Sequence, residues 1–140
     1  MENNINTHYT FSDTEFSQQL ANCNLNPKLF NHEAHLRLGW ILINKLGLKK
    51  AEEEVEKQLL NFGKYNGVQD LYNRTVTIVA MRAIDHFMKR SKTKKFKEFI
   101  NENSRLQTNF KDLIMKHYSY NIFESEEAKS IFKEPDLKPF

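Results

Sequence analysis

Apolar residues in this chain recur every three or four positions, the period of a helix face, and short polar stretches divide them into segments. The first segment opens at Phe11-Ser12-Asp13-Thr14-Glu15-Phe16. Ser12 is placed to cap a helix, Glu15 to close a capping box, and Phe11 and Phe16 hold the two staple positions. Phe16, Leu20 and Cys23 follow at helical spacing. The run Asn22-Cys23-Asn24-Leu25-Asn26-Pro27 then ends the helix, because the residue before a proline is steered away from helical backbone. The second helix is expected over His32 to Leu46, with Asn31 as its cap and Gly47 as its stop. Leu36, Leu38, Trp40, Ile41, Leu42, Ile43 and Leu46 surround it almost completely, so it belongs at the centre of the molecule.

The third helix, Lys49 to Phe62, is amphipathic. Leu48, Ala51, Val55, Leu59 and Phe62 form one stripe, Glu52, Glu53, Glu54, Glu56 and Lys57 the wet face, and Gly63 is expected to close it. A loop follows from Gly63 to Asp70. The fourth helix is expected from Leu71 to Lys89, where Tyr72, Val76, Val79, Ala83 and Phe87 repeat at helical spacing and Ile78, Ala80, Ile84 and Met88 widen the apolar face. The β-branched run Thr75-Val76-Thr77-Ile78-Val79 reads as strand in isolation, but the longer period and the lack of a partner strand favour helix. Phe96, Phe99 and Ile100 mark a short helix, and Leu106, Phe110, Leu113, Ile114 and His117 another. Residues 125–132 suggest a last capped turn, and Pro135 and Pro139 frame an extended end. The expected fold is all-α: a single domain over residues 1–140, a bundle of about five to seven helices, with residues 1–10 flexible and residues 125–140 wrapping the bundle.

Composition supports this. The 140 residues suffice for a real core, and only four glycines and three prolines imply few chain reversals and hence long helices. No apolar run approaches the roughly 18 residues of a membrane span. The polar start Met1-Glu2-Asn3-Asn4 lacks a signal-peptide pattern, and a single cysteine, Cys23, excludes an internal disulfide, so the expected location is the cytoplasm. The net charge of +3 neither requires nor excludes an anionic partner. Lys89 to Lys97 holds six basic residues, yet no recognition motif surrounds them; a solvated helix end is the simpler account, and a nucleic-acid partner is not expected. Cys23 has no neighbouring base and reads as an inert thiol. Phosphate loop, dinucleotide fingerprint and serine elbow are all absent.

The candidate chemistry lies in Phe30-Asn31-His32-Glu33-Ala34-His35-Leu36-Arg37-Leu38-Gly39-Trp40. His32 and His35, three apart, project to the same side of one helical turn. Both rings can reach one metal ion, with zinc, iron or manganese as the candidates, or one polar or anionic ligand. The helix N-terminus adds a positive field that favours an anion and disfavours ring protonation. Two histidines do not complete a metal centre, and the spacing is not that of the His-Glu-x-x-His zinc proteases. Arg37, in a highly apolar helix, reads either as an anion clamp or as half of an ion pair with a carboxylate such as Glu33 or Asp85. Tyr72, Thr75 and Thr77 either line the same pocket or cap and pack.

The segment resembles a family of small, largely uncharacterised bacterial all-helical proteins. Its pattern reads Phe-x-His-x-x-His-Leu-Arg-Leu-Ala-Trp, then a Lys-Tyr-His-Glu-Thr-x-Thr block opening another helix, and a final segment like Ala-Arg-x-x-Phe-x-x-Pro-Asp-Leu. This chain keeps Phe30, His32, His35, Leu36, Arg37, Leu38 and Trp40, with Gly39 at the small position, and its tail Ala128 to Leu137 matches. The resemblance covers residues 30–137 and brings no established activity. It implies that the second and fourth helices face each other across a pocket. In the second block, Leu71-Tyr72-Asn73-Arg74-Thr75-Val76-Thr77, Asn73-Arg74 replaces His-Glu. Asn is a poor transition-metal ligand and Arg repels a cation, so the departure argues against metal and for an anion.

The expected function is therefore a pocket between the second and fourth helices. His32, His35 and Arg37 line one side, and Tyr72, Asn73, Arg74 and Thr77 the other. It would bind a small polar or anionic molecule or a divalent metal through His32 and His35, with catalysis open. The alternative is a non-enzymatic interaction or homo-oligomerising module, such as a homodimer.

Overall fold

The computed structural model describes residues 7–140. Among them the chain forms eight α-helices and no strand: α1 (Asp13–Ala21), α2 (His32–Leu46), α3 (Leu48–Tyr65), α4 (Arg74–Met88), α5 (Phe96–Glu102), α6 (Arg105–Thr108), α7 (Phe110–Met115) and α8 (Glu126–Ser130). Short 3-10 turns lie at His8–Thr10, Pro27–Leu29 and Gln69–Leu71. No helix among the described residues is long and apolar enough to cross a membrane. The fold is all-α, as the periodicity implied.

Helix α2 has the bounds and caps read from the sequence. Asn31 Oδ1 accepts from the Ala34 amide at 2.9 Å, and the helix buries Ala34, Leu36, Arg37, Leu38, Gly39, Trp40, Leu42 and Ile43. It packs on both α3 and α4. A Cβ at Gly39 would sit 2.8 Å from Ile84 Cδ1 and 2.9 Å from Met81 Sδ, so the small residue lets α4 come close. Gly47 alone separates α2 from α3. Its φ of 82° and ψ of 162° lie where residues with a side chain are strained, and this conformation reverses the chain in one step. Helix α1 has the full capping box of Ser12 and Glu15 and packs on α2 and α3.

Three boundaries differ from expectation. Helix α3 does not close at Gly63 but runs on to Tyr65, and the turn falls at Gly67, whose φ is 72°. Gly63 serves a close approach instead: a Cβ there would be 3.3 Å from the Gln69 Cα as the chain folds back. Helix α4 starts at Arg74 rather than Leu71. Asn73 Oδ1 accepts from the Val76 amide at 3.0 Å as its cap, which leaves Tyr72 in extended backbone before the helix. The single helix expected over Leu106 to His117 is two short ones, α6 and α7, separated at Asn109 (φ −133°, ψ 34°).

The C-terminal segment lies across α4 and the turn after α7. Fully buried Thr75 donates to the Ile131 carbonyl and accepts from the Lys133 amide, each at 3.1 Å, while the Tyr118 hydroxyl donates to the Lys133 carbonyl at 2.6 Å. The Leu137 amide donates to the His117 carbonyl at 3.0 Å, and Phe140 stacks on the His117 ring at 3.8 Å. Of the stretch expected to be flexible, residues 1–6 lie outside the described residues, and His8–Thr10 forms a turn with His8 fully buried.

Gly47→Ala is expected to destabilise the protein by about 1–3 kcal/mol, the cost of forcing a Cβ into this backbone conformation. A lower urea midpoint at unchanged m-value is the readout.

Candidate functional site

The first turn of α2 opens into a hollow of about 340 Å3. Leu36 and Leu38 of α2, Val55 and Leu59 of α3, and Val76, Ala80, Met81 and Ile84 of α4 make its apolar walls, and Phe30 and Phe110 also line it. Asn31, His32, His35 and Thr77 are its polar members. Of the candidate residues, His32, His35 and Thr77 line this hollow together. A second hollow, of about 420 Å3, adjoins the first and shares Phe30, His35, Leu59, Val76 and Thr77 with it; Tyr72 and Asn73 line it.

Each imidazole is fixed by a backbone carbonyl. His35 Nδ1 lies 2.9 Å from the Asn31 carbonyl and His32 Nε2 lies 2.9 Å from the Leu106 carbonyl. A carbonyl only accepts, so each of these nitrogens carries the proton and the opposite nitrogen presents a lone pair. Nε2 of His35 and Nδ1 of His32 have no protein partner among the described residues. The His35 ring stacks on Phe30 at 3.8 Å, and His32 packs against Phe110 at 4.8 Å between centroids. His35 lines both hollows while remaining an exposed residue; desolvation by its neighbours holds its pKa below the ordinary value, and the nearby His32 acts in the same direction, against the Asn31 hydrogen bond. Thr77 donates its hydroxyl proton to the Asn73 carbonyl at 2.8 Å, so its oxygen is left to accept.

The remaining candidates sit elsewhere. Neither guanidinium lines either hollow. Arg37 projects about 200° around the helix from His35, onto the opposite flank of α2. There it is buried, donating to Asp13 Oδ1 at 2.9 and 3.2 Å, to the His8 carbonyl at 2.7 Å and to the Phe11 carbonyl at 2.9 Å, with the Phe16 ring 4.8 Å away. Its partner is Asp13, not Glu33 or Asp85. Glu33 instead accepts hydrogen bonds from His8 Nε2 at 2.9 Å and from the Tyr9 hydroxyl at 3.0 Å. Arg74 turns to α3 and pairs with Glu56 at 3.1 Å, and the Tyr72 hydroxyl donates to the same carboxylate at 2.9 Å. Asn73 has its Oδ1 on the Val76 amide and donates Nδ2 to the Ile122 carbonyl at 3.0 Å, so both arms of its amide are engaged in the fold.

The donor set for a metal stops at the two imidazoles. No group of three or more His, Cys, Asp or Glu gathers among the described residues, while zinc, iron or manganese needs further protein donors. His117 binds the Lys138 carbonyl, and His86 lies beside Phe87, in a different hollow. In the basic stretch, Lys89 pairs with Asp85 at 3.1 Å and Lys97 lies 5.0 Å from the Tyr9 ring. No family model, no curated protein and no solved structure matches this chain.

Sequence reasoning missed His8 and Tyr9, which anchor the N-terminal turn to α2. The available signal was an aromatic pair, His8-Tyr9, in an otherwise polar stretch, together with two charges on the central helix that needed partners. Arg37→Met is expected to cost about 2–4 kcal/mol, since it strips donors from two partly or fully buried carbonyls. Equilibrium unfolding at neutral pH reads that loss. Burial lowers the His8 pKa, outweighing the Glu33 hydrogen bond and charge that raise it. A base with a depressed folded pKa stabilises fully above its ordinary value of 6.5, and that contribution is lost as pH falls below it. Stability should therefore drop with acidification below about pH 6.5. His8→Gln should flatten that slope; an unchanged slope would dismiss His8 as its source.

Proposed function

We propose that this chain binds a small, mainly apolar molecule in the hollow between α2, α3 and α4. One observation carries the reading: His32 and His35 of α2 and Thr77 of α4 open into the same space, and its other walls are almost entirely apolar. A few placed polar groups within an apolar concavity of roughly 300–1,000 Å3 is the general pattern of a small-molecule site. The volume of about 340 Å3 falls at the lower end, which favours a compact ligand.

This narrows the expectation drawn from the residues. An anion would find no guanidinium in the hollow, because Arg37 and Arg74 are held by Asp13 and Glu56. A metal would find two nitrogens and no third donor among the described residues. The competing interaction reading draws on exposed Leu60, Tyr65, Val68 and Leu71, around the end of α3 and the turn after it.

Titration with a neutral, environment-sensitive apolar dye such as N-phenyl-1-naphthylamine tests the reading. Saturable one-to-one binding is expected. Ala80→Trp, which fills the hollow from α4, should weaken it by about tenfold or more while leaving the helical circular dichroism intact. Dye binding that does not saturate, or that the variant leaves unchanged, overturns the ligand site. Self-association in sedimentation would then favour the interaction module.

A further inference from the structure

The hydrogen-bonding character of the hollow specifies its ligand more closely, given the binding reading above. Four polar residues face the space: Asn31, His32, His35 and Thr77. Both ring N–H groups are taken by carbonyls, which leaves lone pairs at His35 Nε2 and His32 Nδ1. The Thr77 proton is taken by the Asn73 carbonyl, and the Asn31 Oδ1 by the Ala34 amide. What remains unengaged on the wall, among the described residues, is the two ring lone pairs and one neutral donor, the Asn31 Nδ2 amide, while the Thr77 hydroxyl also lies within reach of Tyr72. No carboxylate, lysine or arginine lines either hollow among the described residues. The titratable groups facing His35 are His32 from its own helix and Tyr72 from the segment before α4, and α3 supplies none.

We propose that the hollow takes a neutral apolar molecule ending in a hydroxyl, an alcohol or a phenol, whose O–H donates to His35 Nε2. The Asn31 amide is the one free donor for its oxygen. A carboxylate or phosphate has no proton to offer these lone pairs, and losing its hydration here would go uncompensated. An ammonium ion has protons to offer but meets no opposing charge. A hydrocarbon of the same shape fills the hollow and leaves the nitrogens without a partner. A neutral hydroxyl satisfies both the walls and the lone pairs, and its oxygen can accept from the Asn31 amide.

Three probes of one shape separate the possibilities: 4-ethylphenol, 4-ethyltoluene and 4-ethylbenzoate, each titrated calorimetrically into the intact protein at pH 7.5. The phenol is expected to bind about tenfold tighter than the toluene, as one well-made hydrogen bond provides, and the benzoate more weakly than either. On acidification the ring becomes a donor at Nε2, so phenol affinity should fall and benzoate affinity rise. Phenol addition should also shift the Nε2 nitrogen resonance of His35, and His35→Leu should bring phenol and toluene to equal affinity. Equal binding of phenol and toluene to the unmodified protein would overturn the hydroxyl inference while leaving the apolar binding site standing. Tightest binding of the benzoate at pH 7.5 would overturn it in favour of an anion. Failure of all three probes would remove the binding reading itself, and this inference with it.

Discussion

Helix α2 buries eight of its fifteen residues, and the charges it carries against the core, Arg37 and Glu33, have to be answered by another part of the chain. Arg37 is answered by the Asp13 carboxylate of α1 and by the carbonyls of His8 and Phe11, and Glu33 by His8 and Tyr9. These contacts draw the N-terminal turn and the start of α1 onto one flank of the central helix. The opposite flank meets α4, where Gly39 admits Ile84 and Met81. The first turn leaves His32 and His35 exposed, and the hollow begins there. The anchor and the site are thus consequences of one constraint, divided between two flanks of a single helix.

The central helix was legible because its signals are local. Asn31 caps it, Gly47 ends it in a backbone conformation open to little but glycine, and a near-continuous apolar surface requires burial. The errors fall where a residue answers to something distant in sequence. Gly63 looks like a helix stop until Gln69 is seen against its Cα; Tyr72 looks helical until Asn73 is seen capping the next helix; Asn109 breaks a periodic run that carries no proline or glycine. The N-terminal turn was illegible for the same reason, since what orders it is Glu33 and Arg37, about 25 residues on.

The site was legible in part. Spacing on a helix predicts that His32 and His35 share a side, about 60° apart, and they line one hollow. The same geometry, applied to Arg37, would have sent it about 200° from His35 and out of the pocket. Arg74 required more than geometry, because its partner Glu56 sits on α3, whose facing row of carboxylates reads from sequence only as a wet surface. With both guanidinium groups engaged in the fold, neither Arg37 nor Arg74 lines the hollow in which the sequence reading set them to meet an anion.

What fixes the tautomers matters as much as where the rings lie. His8 is held by a carboxylate, which by itself favours the charged ring and has to be outweighed by burial. His32 and His35 are held by carbonyls, which set the position of the proton without adding a charge beside it. Burial first, and then the closeness of His32, lower the pKa of His35. The depressed pKa of His35 therefore rests on these two effects outweighing the Asn31 hydrogen bond, which favours the charged ring. It holds only while the walls stay apolar: a carboxylate introduced at Ala80 or Val76 would reverse the balance, raise the pKa of His35 and turn its lone pair into a bound proton.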